Sequence, residues 1–293
     1  MEATSKKAVF ALMYDFDKTL SPRDMQEYAF IPGLGMEAEE FWEKCRVLAS
    51  ENRMDQILAY MFVMRREARG KSLLTRNTLR ALGADVVLFD GVENWFSRVN
   101  AYAERLGIEA EHYIISSGLK EIIEGTPIAH EFKEIYAAEY LYNEFGEPEW
   151  PAMAVNFTSK TQFLFRINKG VLDVRDDREL NEFMPENKRR VPFRNMLYIG
   201  DGFTDVPCMR LVRSNGGHSI AVWQDEKRHV DDLILHGRVN FGIRADYSEG
   251  SDMEKAVFAI LDRAAAVNAT EAMHLESMEA AKLSRQAACE DKG

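Results

Sequence analysis

Four short stretches of this 293-residue chain carry side chains able to act together on a charged substrate. The first is Asp15-Phe16-Asp17-Lys18-Thr19, where two carboxylates sit one residue apart directly after seven apolar residues, Ala8 to Tyr14. The second is Ser116 in "YIISSG", followed by Ser117 and Gly118. The third is Lys160 in "NFTSKTQF", and the fourth is "YIGDGFTD", with Asp201 and then Asp205 four residues on. Like charges ~4 Å apart oppose each other by roughly 4 kcal/mol at an effective dielectric of about 20. A pair such as Asp15 and Asp17 therefore needs a proton, a cation or screening water. Carboxylates grouped this way suit nucleophilic attack, general acid/base transfer or the holding of a hard divalent cation. Hydroxyls and a lysine suit the stabilisation of an anion.

Positioning these groups requires buried strands that end where they lie. Short apolar runs predict parallel strands at Val9–Tyr14, Tyr113–Ile115, Met196–Ile199 and Ile220–Trp223, with Val239–Ile243 a weaker fifth. Helical patterns fall between them. Val92–Leu106 puts Trp95, Phe96, Val99, Tyr102, Ala103 and Leu106 on one stripe, and Gly107 ends it. Alternation of this kind predicts an α/β fold, a Rossmann-like, mostly parallel sheet with helices on both faces. The interval from about Ser21 to Asp90 is too long for a simple crossover and reads as helices Met36–Ala49, Met54–Arg69 and Leu73–Leu82, broken at Pro32-Gly33, 50–53 and Gly70. We therefore expect a core domain of residues 1–21 and 91–262, an inserted all-helical cap at 22–90 above the carboxyl edge of the sheet, and a helical tail at 263–293. The tail reads as helical to about Gln286, with Met253, Val257, Ile260 and Leu261 facing the core and the last dozen residues frayed. The charged stretch Gly170–Phe193, with "DVRDDRELNEF" and "ENKRR", reads as a solvated surface excursion.

Composition narrows the class. A net charge of −11 argues against nucleic-acid or anionic-membrane surfaces, while a small anionic substrate remains compatible if local cations reverse the field. Cys45, Cys208 and Cys289 form no CxxC pair and an odd count, which fits a reducing compartment. No apolar run reaches membrane-spanning length, and Ala8–Tyr14 is too short and too soon followed by acids for a signal peptide. A cytoplasmic location is the expectation. A calcium loop starting at Asp15 would need Gly and Glu where Leu20 and Gln26 stand. The histidines show no zinc-ligand spacing, and neither GxSxG nor GxGxxG occurs. Taken singly, Asp205 could be a helix N-cap, Ser116 a loop hydroxyl and Lys160 a surface lysine; it is their order behind strand ends that sets them apart.

In that order the four stretches resemble the haloacid dehalogenase superfamily, most closely its phosphoserine-phosphatase-like branch, over roughly Val9 to Leu261. The resemblance implies a phosphatase acting on a small phosphorylated metabolite. Asp15 is then the nucleophile that becomes an aspartyl-phosphate, and Asp17 protonates the leaving oxygen and later deprotonates water. Thr19, Ser116, Ser117 and Gly118 bind the phosphoryl oxygens, and Lys160 adds positive charge beside Asp15. It also implies Mg²⁺, held by Asp15, the backbone carbonyl of Asp17 and Asp201, with Asp205 supporting it. Retention of an acid at position 17 favours prompt hydrolysis over a long-lived phospho-enzyme. Asp24 falls where the family has a substrate-contacting acid. Phosphoserine-specific members carry cap arginines where "MDQILAYMF" here has Ala59, Tyr60 and Met61; Arg65, Arg66 and Arg69 lie one to two turns later and read as solvated surface residues. The alternatives are a phosphotransferase that uses the same aspartyl-phosphate, a receiver-like signalling module, and a non-catalytic binding protein on this scaffold.

Overall fold

The computed structural model describes residues 7–71 and 74–290, with side chains up to Gln286 at the carboxyl end. Seven strands, β1 (Ala8–Tyr14), β2 (Ile108–Leu119), β3 (Phe132–Tyr142), β4 (Pro148–Met153), β5 (Met196–Gly200), β6 (His218–Trp223) and β7 (Phe241–Arg244), form one sheet in the order β4-β3-β2-β1-β5-β6-β7. All neighbours are parallel except the antiparallel pair β3 and β4. The architecture is the expected α/β sandwich with a Rossmann-like sheet.

β1 lies at the centre because both of its faces are apolar. Phe10, Leu12 and Tyr14 enter the core shared with the helices Val92–Arg105 and Asp252–Glu290. Val9, Ala11 and Met13 enter the core on the other face, under the helices Lys160–Lys169, Val206–Ser214 and Arg228–Leu235. From β1 the chain builds outward through β2, β3 and β4, then returns to build the other half from β5. The crossovers diverge at β1, so the crevice for a ligand opens at its carboxyl end.

Between β1 and the helix Val92–Arg105 the described residues hold four α-helices, Phe30–Gly33, Ala38–Asn52, Gln56–Glu67 and Arg76–Ala81, and no strand. Pro32 and Gly33, expected as a break, belong to the first of these short helices. Leu73, expected to begin the last helix, lies outside the described residues; that helix starts at Arg76, capped by Thr75.

Sequence patterning does not mark β3 and β4. Lys133, Glu134 and Glu139 interrupt the apolar run of β3, and Pro148 and Pro151 disguise β4, which tolerates them as an edge strand. The stretch 170–193 does run along the surface, but arginines anchor it. The buried Arg166 guanidinium donates to the carbonyls of Asp173, Val174 and Asp176 and to the Asp177 carboxylate. Arg190 pairs with the buried Glu111 at the opposite end of β2 from the crevice. The closing helix packs Met253, Val257, Ile260 and Leu261 inward and is continuous to Glu290, where 291–293 leave the described residues; 269–286 are all exposed.

Candidate active site

The site assembles where β1 stops. The Asp15 N–H donates to the Ile199 carbonyl at 2.9 Å, continuing the pairing with β5 one residue past the strand. The chain then folds back on itself: the Phe16 carbonyl accepts from the N–H groups of Thr19, Leu20 and Ser21, with Lys18 in the left-handed region at φ 56. That tight loop buries Thr19 completely, and its hydroxyl has no partner.

Lys160 is delivered by the first residue of its helix. The Asn156 carboxamide oxygen accepts from the N–H groups of Thr158 and Ser159, closing the preceding turn, and the Asn156 carbonyl accepts from Lys160 N–H at 3.0 Å. Lys160, 0% exposed, reaches Asp15 Oδ2 at 3.0 Å and Asp205 Oδ1 at 2.7 Å. Asp205 stands at the N-cap position of the helix Val206–Ser214 but makes no capping bond. Its Oδ1 accepts instead from Lys160 and from the Tyr198 hydroxyl at 2.7 Å. The residue is therefore spent on the site and not on its helix. Gly200 makes room for it, since a Cβ there would lie 2.4 Å from Asp205 Oδ2.

The Ser116–Gly118 segment is a bulge within β2, not a loop after it. Ile115 pairs with Tyr136 and Leu119 with Ala138, so three intervening residues oppose one on β3. Ser116 Oγ accepts from the Gly118 N–H at 3.1 Å, which leaves its own O–H free to donate, and the Ser117 hydroxyl is buried without a partner. A Cβ on Gly118 would lie 2.9 Å from Asp17 Oδ2 and 2.1 Å from Met25 Cε, so glycine permits the approach of this bulge to Asp17.

Asp15, Asp201 and Asp205 each offer an oxygen within 4.8 Å of the others. Burial, then the Asp205 charge, raise the Asp15 carboxyl to about 6 against the pull of Lys160. Burial with the Asp205 and Asp15 charges raises Asp201 to about 8, and burial with the Asp24 and Asp15 charges holds Asp17 well above the usual carboxylate range. Burial disfavours the charged Lys160, but its two carboxylates outweigh that and keep its pKa above the ordinary lysine value. One lysine faces three acids, and this donor set of hard oxygens suits a divalent cation such as Mg²⁺.

Asp17 and Asp201 line different openings. Asp17, held by the Met25 N–H at 2.8 Å, lines a cleft of about 270 Å³ together with Asp24, Gln26, Trp42, Arg46 and Tyr60. Asp201 lines a separate opening with Lys18 and His229, whose Nε2 lies 3.1 Å from the Asp201 carbonyl oxygen. The structure thus gathers the predicted Asp15, Lys160, Asp201 and Asp205 at one point and lines the adjoining cleft with Asp17, Asp24, Ser117 and Gly118. Arg65 and Arg69 line another cavity, beside Lys71 and Glu147, and Arg66 pairs with Glu67. They read as surface arginines here too. The sequence reading missed Tyr198, hidden as one more apolar strand residue, and the helix-borne Trp42, Arg46 and Tyr60. Gln26 carries no sequence signal either, since only its place in the fold brings it to the cleft.

Two contacts of the helix Gln56–Glu67 and its cap fasten this cleft to the β2 bulge and to the turn before Lys160. The Tyr60 hydroxyl donates to the Ser117 carbonyl at 2.8 Å. Asp55 caps the helix Gln56–Glu67 through Oδ1, and its Oδ2 accepts from Asn156 Nδ2 at 3.0 Å.

The chain is 28% identical over 277 residues to an uncharacterized protein of Borreliella burgdorferi, covering 85% of this chain and 95% of that one. It shares its fold with a HAD family hydrolase of Salmonella enterica serovar Typhi (TM-score 0.53, 15% identity, 81% of this chain and 68% of that one). A substrate-bound phosphoserine phosphatase complex is similar as well (TM-score 0.52, 15% identity, 86% and 97%). So is a probable phosphoserine phosphatase of Vibrio cholerae in unliganded form (TM-score 0.55, 11% identity, 89% and 67%). The family model described as haloacid dehalogenase-like hydrolase matches residues 12–210, which takes in all four stretches, and the chain belongs to that family.

Proposed function

We propose that the protein is a Mg²⁺-dependent phosphomonoesterase that hydrolyses a small phosphorylated metabolite through an aspartyl-phosphate on Asp15. The observation that carries this reading is the Asp15–Lys160–Asp205 arrangement together with two buried hydroxyls that lack partners within the protein, Thr19 in the loop that follows Asp15 and Ser117 in the cleft that Asp17 lines. An orphaned buried hydroxyl is unfavourable unless a ligand satisfies it, and a phosphoryl group offers oxygens for both.

Asp15 Oδ1 accepts from the Phe16 N–H at 2.8 Å, which fixes the carboxylate plane. Its Oδ2, beside Lys160, attacks phosphorus in line with the departing oxygen. The P–O bond to the alcohol breaks as the bond to Asp15 forms. Asp17, on the cleft side, gives its proton to the alkoxide. Asp17 then takes a proton from water, whose oxygen attacks phosphorus, releases inorganic phosphate and restores the Asp15 carboxylate. Throughout, Lys160, the Thr19 and Ser116 hydroxyls and the bulge at Ser117-Gly118 neutralise and orient the phosphoryl oxygens. Asp15, Asp201 and the Asp17 carbonyl would hold Mg²⁺, with Asp205 behind them. The ion supplies positive charge to the transferring group and offsets the acids that crowd it. Asp205 also keeps Lys160 extended towards Asp15.

Hydrolysis of 4-nitrophenyl phosphate by the wild type, by Asp15→Asn, and by the wild type in EDTA tests the reading. Turnover that needs both Mg²⁺ and Asp15 supports it. Undiminished turnover by Asp15→Asn in a pure preparation overturns it. Glycerol in the same assay, with a search for phosphorylated glycerol, separates hydrolysis from phosphoryl transfer to an alcohol.

A further inference from the structure

The cleft beside Asp17 has a distribution of charge and unmet hydrogen bonds that restricts what can occupy it. We propose, resting on the phosphatase reading, that the substrate's alcohol portion carries an N–H or O–H donor and no second anionic group, with Gln26 as a specificity-determining residue.

Gln26 lines the cleft at 2% exposure, and its Oε1 has no partner. A buried carbonyl oxygen left without a donor is unfavourable, so a ligand that brings one is favoured about tenfold or more over a ligand that does not. The other side-chain acceptors in the lining are the Gln56 amide, the Ser117 hydroxyl and two carboxylates. Asp17 and Asp24 both line it, and Asp24 is already paired with Lys18 at 2.8 Å. The single cation in the lining, Arg46, is committed along its own helix, to Glu39 at 2.7 Å and to Glu43 at 2.7 Å and 2.9 Å. Among the described residues, no uncommitted cation faces the cleft. A ligand carboxylate or second phosphate placed beside Asp24 would find no free cation to pair with.

The remaining walls take carbon. Trp42 spends its N–H on Glu27 at 2.7 Å, and Tyr60 spends its O–H on the Ser117 carbonyl. What these side chains turn to the cleft is ring surface, set edge to face with centroids 6.2 Å apart. An amino alcohol or short polyol on a compact carbon chain satisfies the acceptors, the walls and the 270 Å³ volume together. Phosphoserine, with its carboxylate, does not.

The test compares kcat/KM for O-phosphoethanolamine, for propyl phosphate of similar size without the donor, and for O-phosphoserine, which adds a carboxylate. We expect phosphoethanolamine to exceed each of the others by about tenfold or more, the factor that corresponds to one such hydrogen bond. Gln26→Leu should draw the phosphoethanolamine to propyl phosphate ratio towards unity, whereas Gln26→Glu should keep the discrimination against phosphoserine. Phosphoserine turned over as well as phosphoethanolamine overturns the proposal. So does a ratio unchanged in Gln26→Leu, or a loss confined to phosphoserine in Arg46→Ala. Turnover of 4-nitrophenyl phosphate without the expected ranking refutes this inference and leaves the phosphatase reading standing. If no ester is hydrolysed, that reading fails, and thermal shifts of Asp15→Asn with phosphoethanolamine and with phosphoserine decide the inference alone: greater stabilisation by phosphoethanolamine supports it, equal or reversed shifts refute it.

Discussion

Removing one acid from the site should make the protein more stable and less able to use a metal. Asp15, Asp201 and Asp205 hold oxygens within 4.8 Å of one another, with Lys160 bonded to two of the three and Asp201 outside that embrace. At an effective dielectric of about 20, each pair at that separation is repulsive by about 3.5 kcal/mol before compensation. Lys160 offsets much of the Asp15–Asp205 term and part of the remainder. Asp201→Asn therefore removes a net repulsion of about 1–3 kcal/mol from the metal-free fold, the stability that an enzyme gives up to assemble charges for catalysis. For a chain of this size each kcal/mol raises Tm by about 2–4 °C. Thermal scans in EDTA should show Asp201→Asn melting above the wild type, and added Mg²⁺ should raise the wild type and narrow or reverse the gap. A variant that melts below the wild type in EDTA, or gains as much from Mg²⁺, would refute the account of the acidic cluster.

Three further outcomes follow from local geometry. Burial lowers the His112 pKa to about 3 and keeps the ring neutral between the Tyr14 hydroxyl and Asn100 Oδ1. The unfolded chain takes up that proton below about 6.5, so the contribution is complete above that pH and declines towards about 3. Urea unfolding should reveal about 2 kcal/mol less stability at pH 5 than at pH 7 from this group, read as the slope lost in His112→Gln, because the raised acids of the site run in the opposite sense and are common to both. Gly200→Ala pushes a Cβ to 2.4 Å from Asp205 Oδ2, displacing the carboxylate that holds Lys160, and should cost more than about tenfold in kcat with a stability loss of about 1–3 kcal/mol. Asn156→Ala removes both the turn closure before Lys160 and the bond to Asp55; we expect about 1–2 kcal/mol of destabilisation by chemical unfolding and a lower kcat/KM.

Much of this site is legible before any fold is known, and the reason is local. Asp15, Asp201 and Lys160 each lie within a residue or two of the end or start of a regular element, and β1 and β5 announce themselves by unbroken apolar runs. The family resemblance added the roles. What stays hidden depends on the tertiary path. Tyr198 points its hydroxyl at Asp205 from within a run that reads as plain core. Trp42, Arg46 and Tyr60 meet Gln26 only because two helices fold over the crevice. β3 escaped notice because its outward residues are charged and its partner β4 carries prolines, so neither shows a clean period of two. The Ser116–Gly118 bulge, too, depends on pairing with β3, which periodicity along one strand does not encode.

The most direct test of the central claim is a phospho-enzyme on Asp15. On the proposed mechanism Asp17→Asn would retain the nucleophile but lack the base that activates water, and 4-nitrophenyl phosphate has a leaving group that departs without an acid. Rapid mixing with Mg²⁺ should then give a burst of nitrophenolate close to one equivalent per enzyme, followed by slow turnover. Mass analysis should find the phosphoryl group on the peptide containing Asp15. Steady turnover without a burst, or a phosphoryl group on any other residue, would contradict the account.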